Sequence, residues 1–166
     1  MINKNAKKIA LCGVFASLAI VIMCLGGLIP IATYISPILL MLIGCVIMKL
    51  VGVKLAWTWY VVVSILSLLL SADKESACMY LALGYYPYLK QWFERSKLHY
   101  ILKFIYFNCA IASVYGILLY LIGLQQLIQD FEGIGFLGLS VILLMGNAVF
   151  FMLDRILTFT IQRFIK

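Results

Sequence analysis

Long apolar runs alternate with short polar punctuation along the whole chain. The first run covers residues 9–30 and follows Lys4, Lys7 and Lys8. It exceeds the usual 7–15-residue signal core (roughly), and no small-x-small cleavage site follows, so it reads as a retained first helix. Pro30 is placed to end it. Ser36-Pro37 then reads as a helix start, because Ser is a good N-cap and Pro is tolerated at the first helical position. The second span is expected over 37–50, with part of 31–35 also within the membrane. Lys49 and Lys54 bracket a tight connection at Gly52, and the third span follows over 55–71. The fourth, over 76–93, is interrupted by Gly84-Tyr85-Tyr86-Pro87. A basic stretch over 90–103 carries the single His99. The fifth span is expected over 98–123, a polar connection over 124–135, and the sixth over 136–159.

Composition agrees with that pattern. Of the 166 residues, 66% are hydrophobic and 11% charged, with a mean hydropathy of +1.13. Soluble domains carry about 45–50% apolar and about 25% charged residues, and disorder requires low hydrophobicity with high charge. Both classes are excluded. A bilayer-crossing helix needs about 20 residues, so six spans leave room only for connections. The expectation is a single all-α, six-helix membrane domain over residues 1–166, with no soluble domain.

Charge orients it. Six spans put both termini on one side, together with twelve of the 13 Lys and Arg; Lys74 alone falls opposite. Lys and Arg are retained in short cytoplasmic loops, so both termini are expected to be cytoplasmic. Trp57, Trp59 and Trp92 fall near the same boundary, as interfacial aromatics do. Topology thus accounts for the net charge of +7, and no nucleic-acid partner is expected. Attraction to anionic membrane lipids is a secondary consequence.

The five cysteines form no Cys-x-x-Cys pair and have no His at ligand spacing. They read as small packing residues, not as disulfides or a metal site. No Ser/His/Asp set, His-Glu-x-x-His or phosphate-cradling glycine loop is present. Neither an enzyme nor a cofactor is expected.

The polar residues inside the spans carry the remaining information. Asp73, Lys74 and Glu75 open the fourth span on the outer side, Pro87 breaks its hydrogen bonding, and Tyr80, Tyr85, Tyr86 and Tyr88 supply aromatic faces with polar tips. A Gly/Pro-interrupted span points to a transporter binding site; a kinked packing helix with an ordinary charged loop is the structural alternative. Asp130 and Glu132 could close over the same mouth. Ser140, Asn147 and Asp154 recur every seven residues and share one helix face. Asn108 and Asn147 are expected to bond across helices, with a ligand contact as the alternative. Asp154 is expected to meet a basic residue or interfacial water. Cys12-x-x-x-Ala16, with Gly13, Ser17 and Ala19, makes a small-residue strip suited to internal packing or to docking a membrane partner.

Lys7-Lys8-Ile9-Ala10-Leu11, followed by a first helix rich in small residues, in a six-span chain of this size, resembles the S components of energy-coupling factor transporters. Where that family's docking pattern reads Ala-x-x-x-Ala, this chain has Cys12-x-x-x-Ala16. The resemblance implies capture of a small vitamin-like solute near the outer face, a separate transmembrane coupling subunit and ATPase subunits. An outer-face site, combined with the position and polar chemistry of the residues themselves, places the solute near Asp73, Lys74, Glu75, Tyr80, Asn108 and Asn147, and docking falls on the small residues Cys12, Ala16 and Ala19. The competing class is a non-transporting scaffold similar to MreD-like proteins of cell-envelope assembly.

The Lys/Arg distribution has a direct test. A tag at either terminus is expected to resist labelling in intact cells and to react once the inner face is opened; labelling from outside would overturn the topology.

Overall fold

The computed structural model describes residues 4–29, 32–118, 120 and 125–165, and within 125–165 the side chains of 140, 141 and 143–161. The described residues form seven helices: α1 (Lys4–Gly26), α2 (Ala32–Val51), α3 (Val53–Leu70), α4 (Lys74–Leu83), α5 (Tyr86–Glu94), α6 (His99–Ile117) and α7 (Gln125–Ile165). Five stretches are long and apolar enough to cross a membrane: Asn5–Gly26, Ala32–Val51, Val53–Leu70, His99–Ile117 and Leu143–Ile161. They mark a membrane-embedded helical protein. Their outward faces are apolar, as on α3, where Val61, Val62, Ile65 and Leu69 are exposed.

The fourth apolar segment is two short helices of 10 and 9 residues, each too short to cross alone. Pro87 has no N–H for the carbonyl of Leu83, so the ladder stops there. Gly84 and Tyr85 nevertheless keep right-handed helical dihedrals. The hydrogen bonding is broken while the backbone continues in a helical conformation, with Gly84 N–H still donating to the Tyr80 carbonyl at 2.7 Å.

Other boundaries differ from the sequence expectation. Ser36-Pro37 does not start a helix: α2 begins at Ala32, and Pro37 lies inside it. Ser36 and Pro37 are buried, and Ser36 Oγ fills the space beside Gly26 where a Cβ would stand. The close α1–α2 approach outweighs the missing N–H. The expected connection over 124–135 is also corrected, since backbone helix runs without interruption from Gln125 through 41 residues. That length is about 60 Å, roughly twice the hydrocarbon thickness, so polar residues within it need not mark a loop. Pro30 and residues 121–124 lie outside the described residues, as do the side chains of Asp130 and Glu132. Gly52 alone joins α2 to α3, with φ +96° and ψ 162°, a region that is essentially glycine-only.

Contacts fix helix direction. Lys8 near the start of α1 donates to the Val51 carbonyl at the end of α2 at 3.4 Å. Ser71, which caps α3, approaches the Met23 carbonyl near the end of α1 at 3.4 Å. Beside a small cluster of Cys78, Met79, Val114 and Leu118, the core has two larger lobes. Ala19, Met23, Leu40, Ile47, Ala56, Val63 and Ala77 fill one; Met41, Cys45, Leu83, Phe107, Phe150 and Leu157 fill the other. α2 serves both. Gly44 keeps that helix narrow, since a Cβ there would stand 2.9 Å from the Tyr88 hydroxyl. Close approach of this kind is what holds helices together in lipid, where apolar burial gives no net drive.

Candidate functional site

The residues expected to form a mouth are fixed by internal bonds. Asp73 is the N-cap of α4, its Oδ1 accepting from the backbone N–H of Glu75 at 3.0 Å and of Ser76 at 3.2 Å. These are donors that a helix start leaves without partners. Lys74 Nζ donates to the Leu68 carbonyl at 2.9 Å, tying α4 back to the end of α3. Glu75 Oε1 accepts from two hydroxyls, Tyr34 at 3.2 Å and Tyr115 at 3.1 Å. One carboxylate thereby joins the start of α2, the start of α4 and the end of α6.

Tyr80 is not part of that cluster. Five helical residues separate it from Glu75, a rotation of about 140°, and its ring lies in the core, 1% exposed and 5.7 Å from the ring of Tyr60. Around these two stand Trp57, Tyr85 and Tyr88, all within 6.1 Å of Tyr60 by ring centre. Trp59 Nε1 and Tyr88 OH are buried in this lobe without a hydrogen-bond partner among the described residues. Of the three tryptophans expected at the boundary, Trp59 is buried against neighbouring helices and Trp92 is exposed.

Asn108 and Asn147 bond reciprocally across α6 and α7, at 3.1 and 3.3 Å. Each also donates to a carbonyl one turn back, Phe104 and Leu143, at 2.8 Å. The pair is a helix-to-helix clasp with its donors satisfied, as expected for amides in lipid. It lies seven residues, about 10 Å, along α6 from Tyr115. The six solute-site residues therefore divide among three places: a capped and latched helix start, a buried tyrosine and an amide clasp.

In α1, Ala19 is fully buried within the first core lobe. Cys12 and Ala16 are half-buried against the same lobe. Gly13 and Ser17 of the same strip are exposed on the neighbouring face.

The strongest electrostatic feature lies elsewhere. Asp154, 7% exposed, sits between two lysines that are 1% and 3% exposed. Lys90 Nζ from α5 pairs with Asp154 Oδ1 and also donates to the Asp154 carbonyl at 2.8 Å. Lys103 Nζ from α6 pairs with Oδ2 at 2.7 Å. Tyr86 OH donates to Oδ1 at 2.5 Å. Glu94 stands 3.4 Å from Lys90 and 3.8 Å from Lys103, with its side chain 42% exposed. Two cations thus meet two carboxylates. Charges in a low-dielectric interior persist only when paired and hydrogen-bonded. The aromatic rings of Tyr86, Phe93, Tyr106 and Phe150 surround the cluster's core side, with centroids 4.9–6.2 Å from Tyr86.

Two clefts stand out, and neither lies at Asp73–Glu75. One of about 620 Å³ borders the ion cluster, with Glu94, His99, Tyr100, Lys103 and Arg155 in its wall. The other, of about 290 Å³, is apolar and lies between Phe15, Ile22, Leu39, Leu42 and Ile43. Comparison with known protein families, characterised proteins and solved structures finds no match to this chain.

The two polar links differ in what their loss costs. Asp154→Ala leaves two buried lysines facing each other, and unfolding measurements in detergent are expected to show a loss of about 3–5 kcal/mol. Asn147→Ala removes a neutral clasp and is expected to cost about 0.6 kcal/mol, at most about 1.7 kcal/mol. Equal losses would show that charge burial is not the distinguishing factor.

Proposed function

We propose that this chain is a six-pass protein of the cell membrane, with both termini cytoplasmic, that binds a small vitamin-like solute for uptake. In this reading α4 and α5 together make the fourth pass. Separate transmembrane coupling and ATPase subunits supply the energy, and the first helix meets the coupling subunit. The alternation of helix ends and the Lys/Arg distribution support the topology.

The observation that carries the solute-binding reading is the Glu75 latch above an interrupted helix. Tyr34 and Tyr115 hold the carboxylate from two other helices. Below it, Tyr60, Tyr80, Tyr85 and Tyr88 surround the lobe beside the Gly84–Pro87 break. Opening the latch frees one carboxylate and two hydroxyls, a set that suits a zwitterion or a weakly charged heterocycle. The tyrosine rings can stack on a planar solute. The unpartnered Trp59 Nε1 and Tyr88 OH are available as further polar contacts within the same lobe.

A scaffold in cell-envelope assembly is the second reading. It is favoured by the bonding of Asp73, Lys74, Glu75, Asn108 and Asn147 to groups of the chain itself. Mass spectrometry of small molecules carried by the protein purified from its native membrane separates the two. Uptake predicts a defined solute, ATPase subunits in the same preparation, and loss of most of the solute in Glu75→Gln. A preparation with no solute, together with cell-envelope proteins, would establish the scaffold reading.

A further inference from the structure

The cleft of about 620 Å³ beside the ion cluster is not used by the solute-binding reading, and its chemistry differs from that of the latch. Its charge balance is simple. Lys90 and Lys103 are matched by Asp154 and Glu94. Arg155, exposed in the cleft wall, makes no ion pair among the described residues. One cation is therefore left over. Beside it stand His99 and Tyr100, whose rings are 4.1 Å apart by centre. Arg155 and Tyr100 bring N–H and O–H donors, and His99 brings an imidazole that can donate from one nitrogen. A singly charged, acceptor-rich group matches that wall.

The surroundings restrict the group further. Met152 lines the same cleft and is 67% exposed. Ile101 and Phe104 on α6, and Ile156 on α7, continue an exposed apolar surface. The cleft thus joins a donor-rich wall to a surface built for hydrocarbon. It also lies at the start of α6, within the Lys/Arg-rich stretch over 90–103. Basic clefts between membrane helices are suited to phosphate headgroups, and a guanidinium matches phosphate oxygens by its fork of donors.

We propose that this cleft between α6 and α7 binds the phosphodiester headgroup of an anionic lipid. Arg155 supplies the neutralising charge, and His99 and Tyr100 supply donors. Lys103 forms the floor and stays paired to Asp154, so the lipid reads the cleft wall without breaking the ion cluster. The acyl chains lie along Met152 and the neighbouring apolar faces. The inference is independent of solute uptake.

The test is native mass spectrometry of the full chain in micelles, with phosphatidylglycerol or phosphatidylcholine of matched acyl chains, or with inorganic phosphate alone. Phosphatidylglycerol is expected to be retained at least about fivefold better than phosphatidylcholine. Arg155→Gln is expected to reduce that retention about fivefold, while Arg95→Gln, an exposed arginine outside the cleft wall, leaves it unchanged. If Arg155→Gln does not fold, His99→Gln is expected to weaken retention in the same direction. Equal retention of the two lipids, or equal effects of the two arginine variants, would overturn the site. Retention of inorganic phosphate with no preference between lipids would assign the cleft to a soluble phosphate compound and overturn the lipid occupant.

Discussion

A carboxylate buried between two lysines constrains the second lobe of this protein. Each of these charges is costly to remove from water, and attraction compensates only if the partners stay in place. Asp154 comes from α7, Lys90 from α5 and Lys103 from α6. No one of these helices can slide or rotate far without leaving a charge unpaired in an apolar surrounding. The aromatic packing of Tyr86 against Phe93, Tyr106 and Phe150 follows from that fixed register. So does the adjoining cleft, which is lined by Lys103 at the start of α6 and by Asp154 and Arg155 on α7.

The interrupted fourth segment connects this cluster to the opposite end of the bundle. Asp73 and Glu75 fix the start of α4, and Lys90 fixes α5. The Gly84–Pro87 break between them removes continuity from the hydrogen-bond ladder. Each half is therefore anchored by its own polar contacts, one by neutral hydroxyls on a carboxylate and the other by ion pairs. The first kind of anchor is cheaper to release than the second, so any movement of the segment is expected to begin at the Glu75 end.

Much of the fold was legible because lipid restricts what a chain can do. An apolar run between charged ends has to be a helix, and α3 at Val53–Leu70 lies within two residues of the span read at 55–71. The Gly84–Pro87 interruption and the Asn108–Asn147 bond follow from equally local rules: proline lacks a donor, and an amide in lipid seeks a partner. Ser36-Pro37 misled because capping chemistry is local while the burial of Ser36 against Gly26 is tertiary. The polar residues after Gln125 read as a loop because membrane helices end where polarity begins, yet a helix can continue beyond the bilayer. Position and polar chemistry place Tyr80 with Glu75, but the two lie on different faces of α4, and only tertiary packing decides which face is buried. The expectation that Asp154 meets a basic residue or interfacial water agrees with its pairing to Lys90 and Lys103. Which lysines it meets is not legible in the sequence, because Lys90 and Lys103 serve equally well there as markers of side.

That Tyr86, Lys90, Lys103 and Asp154 act as one unit is tested most directly by replacing them together with apolar residues of similar size. The measurement is unfolding free energy in one detergent for Tyr86→Phe, Lys90→Met, Lys103→Met and Asp154→Leu, singly and combined. Coupling predicts that the combined variant regains most of the stability lost by Asp154→Leu alone, because no buried charge is left without its partner. Losses that simply add across the four substitutions would contradict it.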